Sequence, residues 1–144
     1  MTVQRMEHVG IVVDDLEGAT AFFVELGLKL QGEGQVEGGW VDRVVGLEGV
    51  RVEYAMVETP DGHGRLELVK FHSPSVRGGD GHAPANILGI RHVAFAVETS
   101  TPSSPPASPR RGARRRGGAL RRQLSALLRP RPEGIIVELA ERIG

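Results

Sequence analysis

Two runs of apolar and β-branched residues, each entered by a histidine, set the pattern of this chain: Met6-Glu7-His8-Val9-Gly10-Ile11-Val12-Val13 and Ile90-Arg91-His92-Val93-Ala94-Phe95-Ala96-Val97. Such runs predict strands buried over most of their length. A second echo closes each copy, Arg65-Leu66-Glu67-Leu68-Val69 and Ile136-Val137-Glu138-Leu139-Ala140, with one carboxylate among aliphatic residues. The chain therefore reads as one module used twice. A lone carboxylate in a buried strand costs several kcal/mol unless something compensates its charge. Two such glutamates and two strand-entry histidines, at matching places in two half-repeats, can share one compensating cation.

Between these anchors the first copy reads β-α-β-β-β. A strand over about residues 5–13 ends at Asp14-Asp15, and Asp15 caps a helix over 16–26. In it Leu16, Ala19, Phe22, Phe23 and Leu26 recur at helical spacing, and Gly27 sits at the stop. Phe22 and Phe23 are assigned to the core. Residues 28–36 make a weak strand interrupted by Gly32 and Gly34. Gly38-Gly39-Trp40 reads as a loop before a helical turn through Val44-Val45, with Trp40 either packed or lining a pocket. Residues 50–58 alternate, with Val50, Val52, Tyr54 and Met56 on one side and Arg51, Glu53 and Ala55 on the other. Thr59-Pro60-Asp61-Gly62 is a turn, because proline fixes φ and glycine accepts positive φ. Residues 64–71 form the returning strand. A Gly/Pro/Ser-rich linker, 73–88, then joins the first module (1–72) to the second (89–142) within a single domain spanning 1–144.

An apolar fraction of 40% suits one ordinary core, and a formal net charge of zero provides no bulk field for nucleic acid or an anionic membrane. No apolar run approaches membrane-spanning length and the first residues lack signal-peptide character, so a soluble cytoplasmic protein is expected. With no cysteine, any metal must be held by histidine and carboxylate. The neutral total hides an asymmetry. Residues 1–98 carry 8 Lys/Arg against 15 Asp/Glu, whereas residues 99–132 carry 9 Arg and no acid. In that block the alternation stops where a helix and further strands are due. Taken literally, residues 119–128 could form a basic helix with Leu120, Leu124, Leu127 and Leu128 on one side, of the kind that binds membranes or nucleic acid. Sense resumes at the turn Glu133-Gly134 and a strand over 135–140.

The order and spacing of several segments resemble the vicinal oxygen chelate superfamily, the glyoxalase/bleomycin-resistance/dioxygenase group. They are His8-Val9-Gly10-Ile11-Val12-Val13-Asp14-Asp15-Leu16, Phe22-Phe23 before Leu26-Gly27-Leu28, Leu66-Glu67-Leu68, Gly89-Ile90-Arg91-His92-Val93-Ala94-Phe95 and Pro132-Glu133-Gly134-Ile135-Ile136-Val137-Glu138-Leu139. The resemblance implies an α+β fold in which paired β-α-β-β-β modules form a cup-like mixed sheet around one metal, often completed by a homodimer partner, here with an atypical second module.

The metal set is then His8 and Glu67 from the first module with His92 and Glu138 from the second. Imidazole and carboxylate suit Zn, Ni, Fe, Co or Mn alike. Four protein ligands leave open positions for water or two neighbouring substrate oxygens, where a divalent cation stabilises an enediolate. Resemblance to glyoxalase I makes Glu138 or Glu67 the catalytic carboxylate that abstracts a proton beside a carbonyl and returns it to the adjacent carbon. Each histidine alone fits a strand end, and each glutamate alone fits a solvated edge; their equivalent places in a repeat assign them together. His63, His72 and His82 fall in or beside loops and read as solvated, and Arg91 points to the opposite face from His92. The expected activity is a glyoxalase I-type lyase or isomerase acting on a small molecule. The alternatives are an epimerase or Fe(II) extradiol dioxygenase of the same superfamily, a drug-binding protein like those of bleomycin resistance, and a nucleic-acid module built on the basic block.

The resemblance also bears on residues 99–132. Family members with this ending commonly continue with a helix beginning near Asp-Ile-Asp-Ala-Val-Val. Written in GC-rich codons and read one base late, that peptide gives Thr-Ser-Thr-Pro-Ser-Ser, the sequence of Thr99 to Ser104. Arg111 to Arg116 and Leu120 to Arg131 follow in the same way from later family peptides read in the next frame. The block is therefore expected to be a frameshifted reading, either in the gene itself or only in its sequence as written. The nucleotide sequence and an intact mass of the natural protein check this: a single open frame and a mass equal to that of the sequence as written would end the idea.

Overall fold

The structure is a computed structural model, which describes residues 1–78, 81, 83–98, 121–124 and 134–142. Among these the elements run β1 (Val9–Val12), α1 (Leu16–Glu25), β2 (Lys29–Glu37), α2 (Gly39–Val45), β3 (Arg51–Glu58), β4 (Arg65–Ser73), β5 (His92–Val97), β6 (Arg121–Leu124) and β7 (Ile136–Arg142). The chain divides into two compact units, residues 1–83 with 132–134 and residues 84–131 with 135–144. The architecture is α+β with mixed sheets, as the pattern predicts.

The first unit is built on a sheet in the order β1-β4-β3-β2. β1 runs parallel to β4, and the other neighbours are antiparallel. Side chains alternate between its faces. One face carries Val9, Ile11 and Val13 with Leu66 and Leu68, and Ala55 with Val57, and α1 lies along β2, β3 and β4. Phe23 of α1 is fully buried there with Val13, Val57 and Leu68. Each such side chain contributes about 1.5–3 kcal/mol by leaving water. The opposite face holds a smaller cluster, in which Val41 of α2, Val50 and Val52 pack with Val36, Val69 and Phe71. The alternation over 50–58 thus sorts side chains correctly, but both sides find cover: Ala55 and Val57 beneath α1, Val50 and Val52 beneath α2.

Local chemistry sets the helix ends. Asp15 Oδ1 accepts the Gly18 amide at 2.9 Å, and Gly27 turns the chain at φ 111°. Buried Thr20 spends its hydroxyl on the Leu16 carbonyl at 2.7 Å. Phe22 meets Phe23 edge to face, with centroids 5.2 Å apart. The segment read as a loop at Gly38-Gly39-Trp40 is instead the start of α2, which ends at Gly46 in the left-handed region. Asp42 of α2 then accepts the amides of Gly49 and Val50 at 3.1 and 2.8 Å, fixing the entry to β3. Trp40 is 57% exposed, so it neither packs in the core nor is enclosed. β1 is shorter than the strand expected over 5–13, because its partner β4 offers a ladder only from Leu66 onward.

The second unit has the order β5-β7-β6, with β5 parallel and β6 antiparallel to β7. β6 corrects one expectation: residues 121–124, within the span read as a basic helix, pair as a strand. The rest of that span and most of the proposed frameshift at 99–132 lie outside the described residues. Within the first unit, Gly134 has φ 73°, and an added Cβ there would fall 2.5 Å from the Gly81 carbonyl oxygen. No helix among the described residues is long and apolar enough to cross a membrane.

Phe23→Ala should cost about 3–5 kcal/mol in chemical denaturation by opening a cavity between α1 and the sheet. Val44→Ala, on a residue 74% exposed in α2, should stay within about 0.5 kcal/mol of the parent. Equal midpoints for the two variants would remove α1 from the core.

Candidate functional site

Parallel pairing places the candidate ligands. In the first unit Glu67 of β4 lies opposite Gly10 of β1, two residues beyond His8. In the second, Glu138 of β7 lies opposite Ala94 of β5, two residues beyond His92. Residues two apart share a strand face, so each unit sets one imidazole beside one carboxylate in the same register. His8 Nε2 and Glu67 Oε2 are 3.4 Å apart, and His92 Nε2 and Glu138 Oε2 are 3.6 Å apart. The residue opposite each carboxylate is small. A Cβ at Gly10 would find only Glu67 Oε2, at 3.9 Å.

The two spacings suit a shared cation better than a direct hydrogen bond, which prefers about 2.7–3.2 Å. Bonds of about 2.0–2.2 Å from a tetrahedral metal to nitrogen and oxygen set neighbouring donor atoms about 3.4 Å apart. The side chains are partly open to solvent, at 38% and 30% for His8 and Glu67 and 57% and 22% for His92 and Glu138, so an ion can reach them. Within neither unit do three or more His, Cys, Asp or Glu side chains among the described residues gather around one point. Each unit therefore supplies two donors of a type that fits a divalent metal.

A charged chain beside the first pair was not singled out from sequence. Arg65 precedes Glu67 by two on the same face of β4. Its Nε contacts Glu58 Oε1 at 2.8 Å and its Nη1 contacts Glu7 Oε1 at 2.7 Å, while Arg5 Nη2 reaches Glu7 Oε2 at 2.9 Å. Glu58 raises the pKa of Arg65, and Arg5 followed by Arg65 lowers that of Glu7. The signal was available: the Thr59-Pro60-Asp61-Gly62 turn closes a hairpin, which puts Glu58 across from Arg65.

Of the remaining histidines, His63 lies in the hairpin turn, exposed as expected, and His82 lies outside the described residues. His72 is exposed as expected, but it is not in a loop. It lies on β4, where the register shifts between Arg51 and Val52, and its Nε2 meets Glu53 Oε2 at 3.0 Å. Gln35 Nε2 donates to the other oxygen of Glu53 at 2.8 Å. This contact is on the face opposite Glu67, since Glu53 and Met56 are three apart on β3 and Met56 pairs with Glu67.

The model of the Glyoxalase/Bleomycin resistance protein/Dioxygenase superfamily matches residues 7–115. Among solved structures, a glyoxalase family protein from Bacillus cereus is similar over 100% of this chain and 97% of its own, with 32% identity and a TM-score of 0.75. No curated protein matches the chain.

Three carboxylates are held below the ordinary range: Glu53 by His72 and then Gln35, Glu7 by Arg5 and Arg65, and Asp61 by the Thr59 hydroxyl and the His63 amide. A depressed folded pKa adds stability that is complete above the unfolded value, about 4, and is lost as pH falls through the folded value. Melting temperature should therefore drop on acidification below about pH 4, and the drop should be shallower in Glu53→Gln. Identical acid profiles for parent and variant would show that the His72 contact carries no linkage.

Proposed function

Because the chain belongs to the Glyoxalase/Bleomycin resistance protein/Dioxygenase superfamily, we propose that it is a metal-dependent lyase or isomerase of glyoxalase I type, with His8, Glu67, His92 and Glu138 as ligands of one divalent metal. One observation carries the reading. Two parallel ladders repeat the same offset between histidine and glutamate, with donor atoms 3.4 and 3.6 Å apart. The superfamily often uses divalent metals, and imidazole with carboxylate suits Zn, Ni, Fe, Co or Mn.

A divalent cation held by these four side chains would supply Lewis-acid stabilisation of negative charge developing on the substrate. His8 and His92 would act as nitrogen donors to it. Glu67 or Glu138 takes the proton from the carbon beside the substrate carbonyl and returns it to the adjacent carbon, a net isomerisation in which no electron is gained or lost. Gly10 and Ala94, opposite the two carboxylates, leave them space to move toward that carbon. Superfamily members bind small molecules and often form dimers. The same reading has this protein acting on a small α-oxygenated molecule, as a homodimer, in the cytoplasm.

Protein purified without chelator should carry one divalent metal per chain, and His8→Ala or Glu138→Gln should lower its metal affinity by about tenfold or more. Loss of the acting carboxylate, tested in Glu67→Gln and Glu138→Gln, should slow solvent-deuterium exchange into an α-hydroxyketone by about 10²- to 10⁴-fold. Metal-free protein that still sequesters a small ligand would instead place the chain with the non-enzymatic binders.

A further inference from the structure

The face of the first unit's sheet that carries Glu67 has an uneven distribution of charge. Its rows follow from the strand registers. At one end Arg65, Glu58 and Lys29 lie across β4, β3 and β2, next to His8. Arg65 is committed there to Glu58 and Glu7. The next row is Gly10, Glu67, Met56 and Gly32, and the one after it is Val12, Val69, Tyr54 and Gly34. Beyond Glu67 itself, these two rows carry no charge.

They are also open. Val12, at the end of the edge strand β1 and in register with Val69, is 51% exposed. A Cβ at Gly32 would meet nothing within 4 Å, so the floor beside Met56 is bare backbone. Gly34 differs, because the Tyr54 ring lies over it: a Cβ there would come within 2.9 Å of both Cε1 and Oη of Tyr54. The missing side chain of Gly34 thus seats the tyrosine flat across β2, and the phenol borders the bare floor.

We propose that this strip seats an uncharged, apolar or aromatic substituent of the substrate, with Tyr54, held over Gly34, as the specificity-determining residue. The inference rests on the functional reading only in calling the occupant a substrate. Charge complementarity favours a neutral group: an anionic tail would lie beside the Glu67 carboxylate, and Arg65 of the neighbouring row is already committed to Glu58 and Glu7. Apolar surface gains by leaving water against Val12 and Met56, and a planar group fits the bare backbone at Gly32 beside the Tyr54 ring.

Methionine labelled at its ε-methyl reports on the strip directly, because Met1, Met6 and Met56 are the only methionines in the chain. With excess chelator present, 2,3-dihydroxynaphthalene should shift the Met56 methyl saturably and leave Met1 and Met6 in place, while phosphoglycolate should shift none. Val12→Asn should weaken this binding by about tenfold. Gly34→Ala, which displaces the Tyr54 ring, should change it by at least about threefold. An unmoved Met56, an equal response to the anion, or wild-type affinity in both variants would overturn the proposal. Since the titration needs no metal, its failure is distinct from failure of the metal reading, which is tested by metal content alone.

Discussion

The parallel pairing of β1 with β4, repeated by β5 with β7, is the constraint on which the site depends. A parallel ladder fixes which residues stand side by side, and the two-residue period fixes which face they share. In both units it brings a histidine from the start of one strand to a glutamate near the start of the other. A one-residue slip of either ladder would send the carboxylate to the opposite face, in the first unit into the layer where Leu66, Leu68 and Phe23 exclude water. The burial that stabilises the first sheet therefore also holds Glu67 in position.

Much of this was legible because it depends on short-range periodicity. The helix from Asp15 to Gly27, the hairpin around Pro60, and the strands bearing His92 and Glu138 follow from patterns that the fold preserves. The repeat in sequence also became a repeat in register, which is a stronger relation. Elements decided by tertiary context were less legible. α2 begins on two glycines, poor helix formers, and forms because Val41 can bury against Val50 and Val52 and Asp42 can tie down the next loop. β6 lies in an arginine-rich stretch with no strand-like alternation, yet it pairs along β7. His72 is exposed as its sequence context indicates, but its contact with Glu53 was not legible, because it arises only from the pairing of β3 with β4 near a register shift.

The three histidine–glutamate pairs are informative together. His72 and Glu53 meet at 3.0 Å, with Gln35 on the remaining oxygen, so that carboxylate has its partners within the protein. His8 with Glu67 and His92 with Glu138 stand at 3.4 and 3.6 Å, on ladders of equal offset. A hydrogen-bonded pair is complete by itself. The wider spacing of the other two pairs is the one that the proposed divalent cation would set between its donor atoms. On the proposed reading the same residue types would play two roles in the first sheet, with the register of the strands deciding which.

Glycine placement extends the argument from the ligands to their surroundings. A half-open sheet face usually gathers β-branched and aromatic side chains, and glycine weakens a strand because it packs nothing. Here Gly10, Gly32 and Gly34 all fall on the face of Glu67, and none falls on the face beneath α1. Stability alone would favour the reverse arrangement or none. The positions make sense if the backbone on that side must stay accessible, at Gly10 for the carboxylate, at Gly32 for a bound group, and at Gly34 for the ring that borders it. The weakness of β2 as a strand in the sequence is then the local cost of keeping a surface open beside the ligand pair.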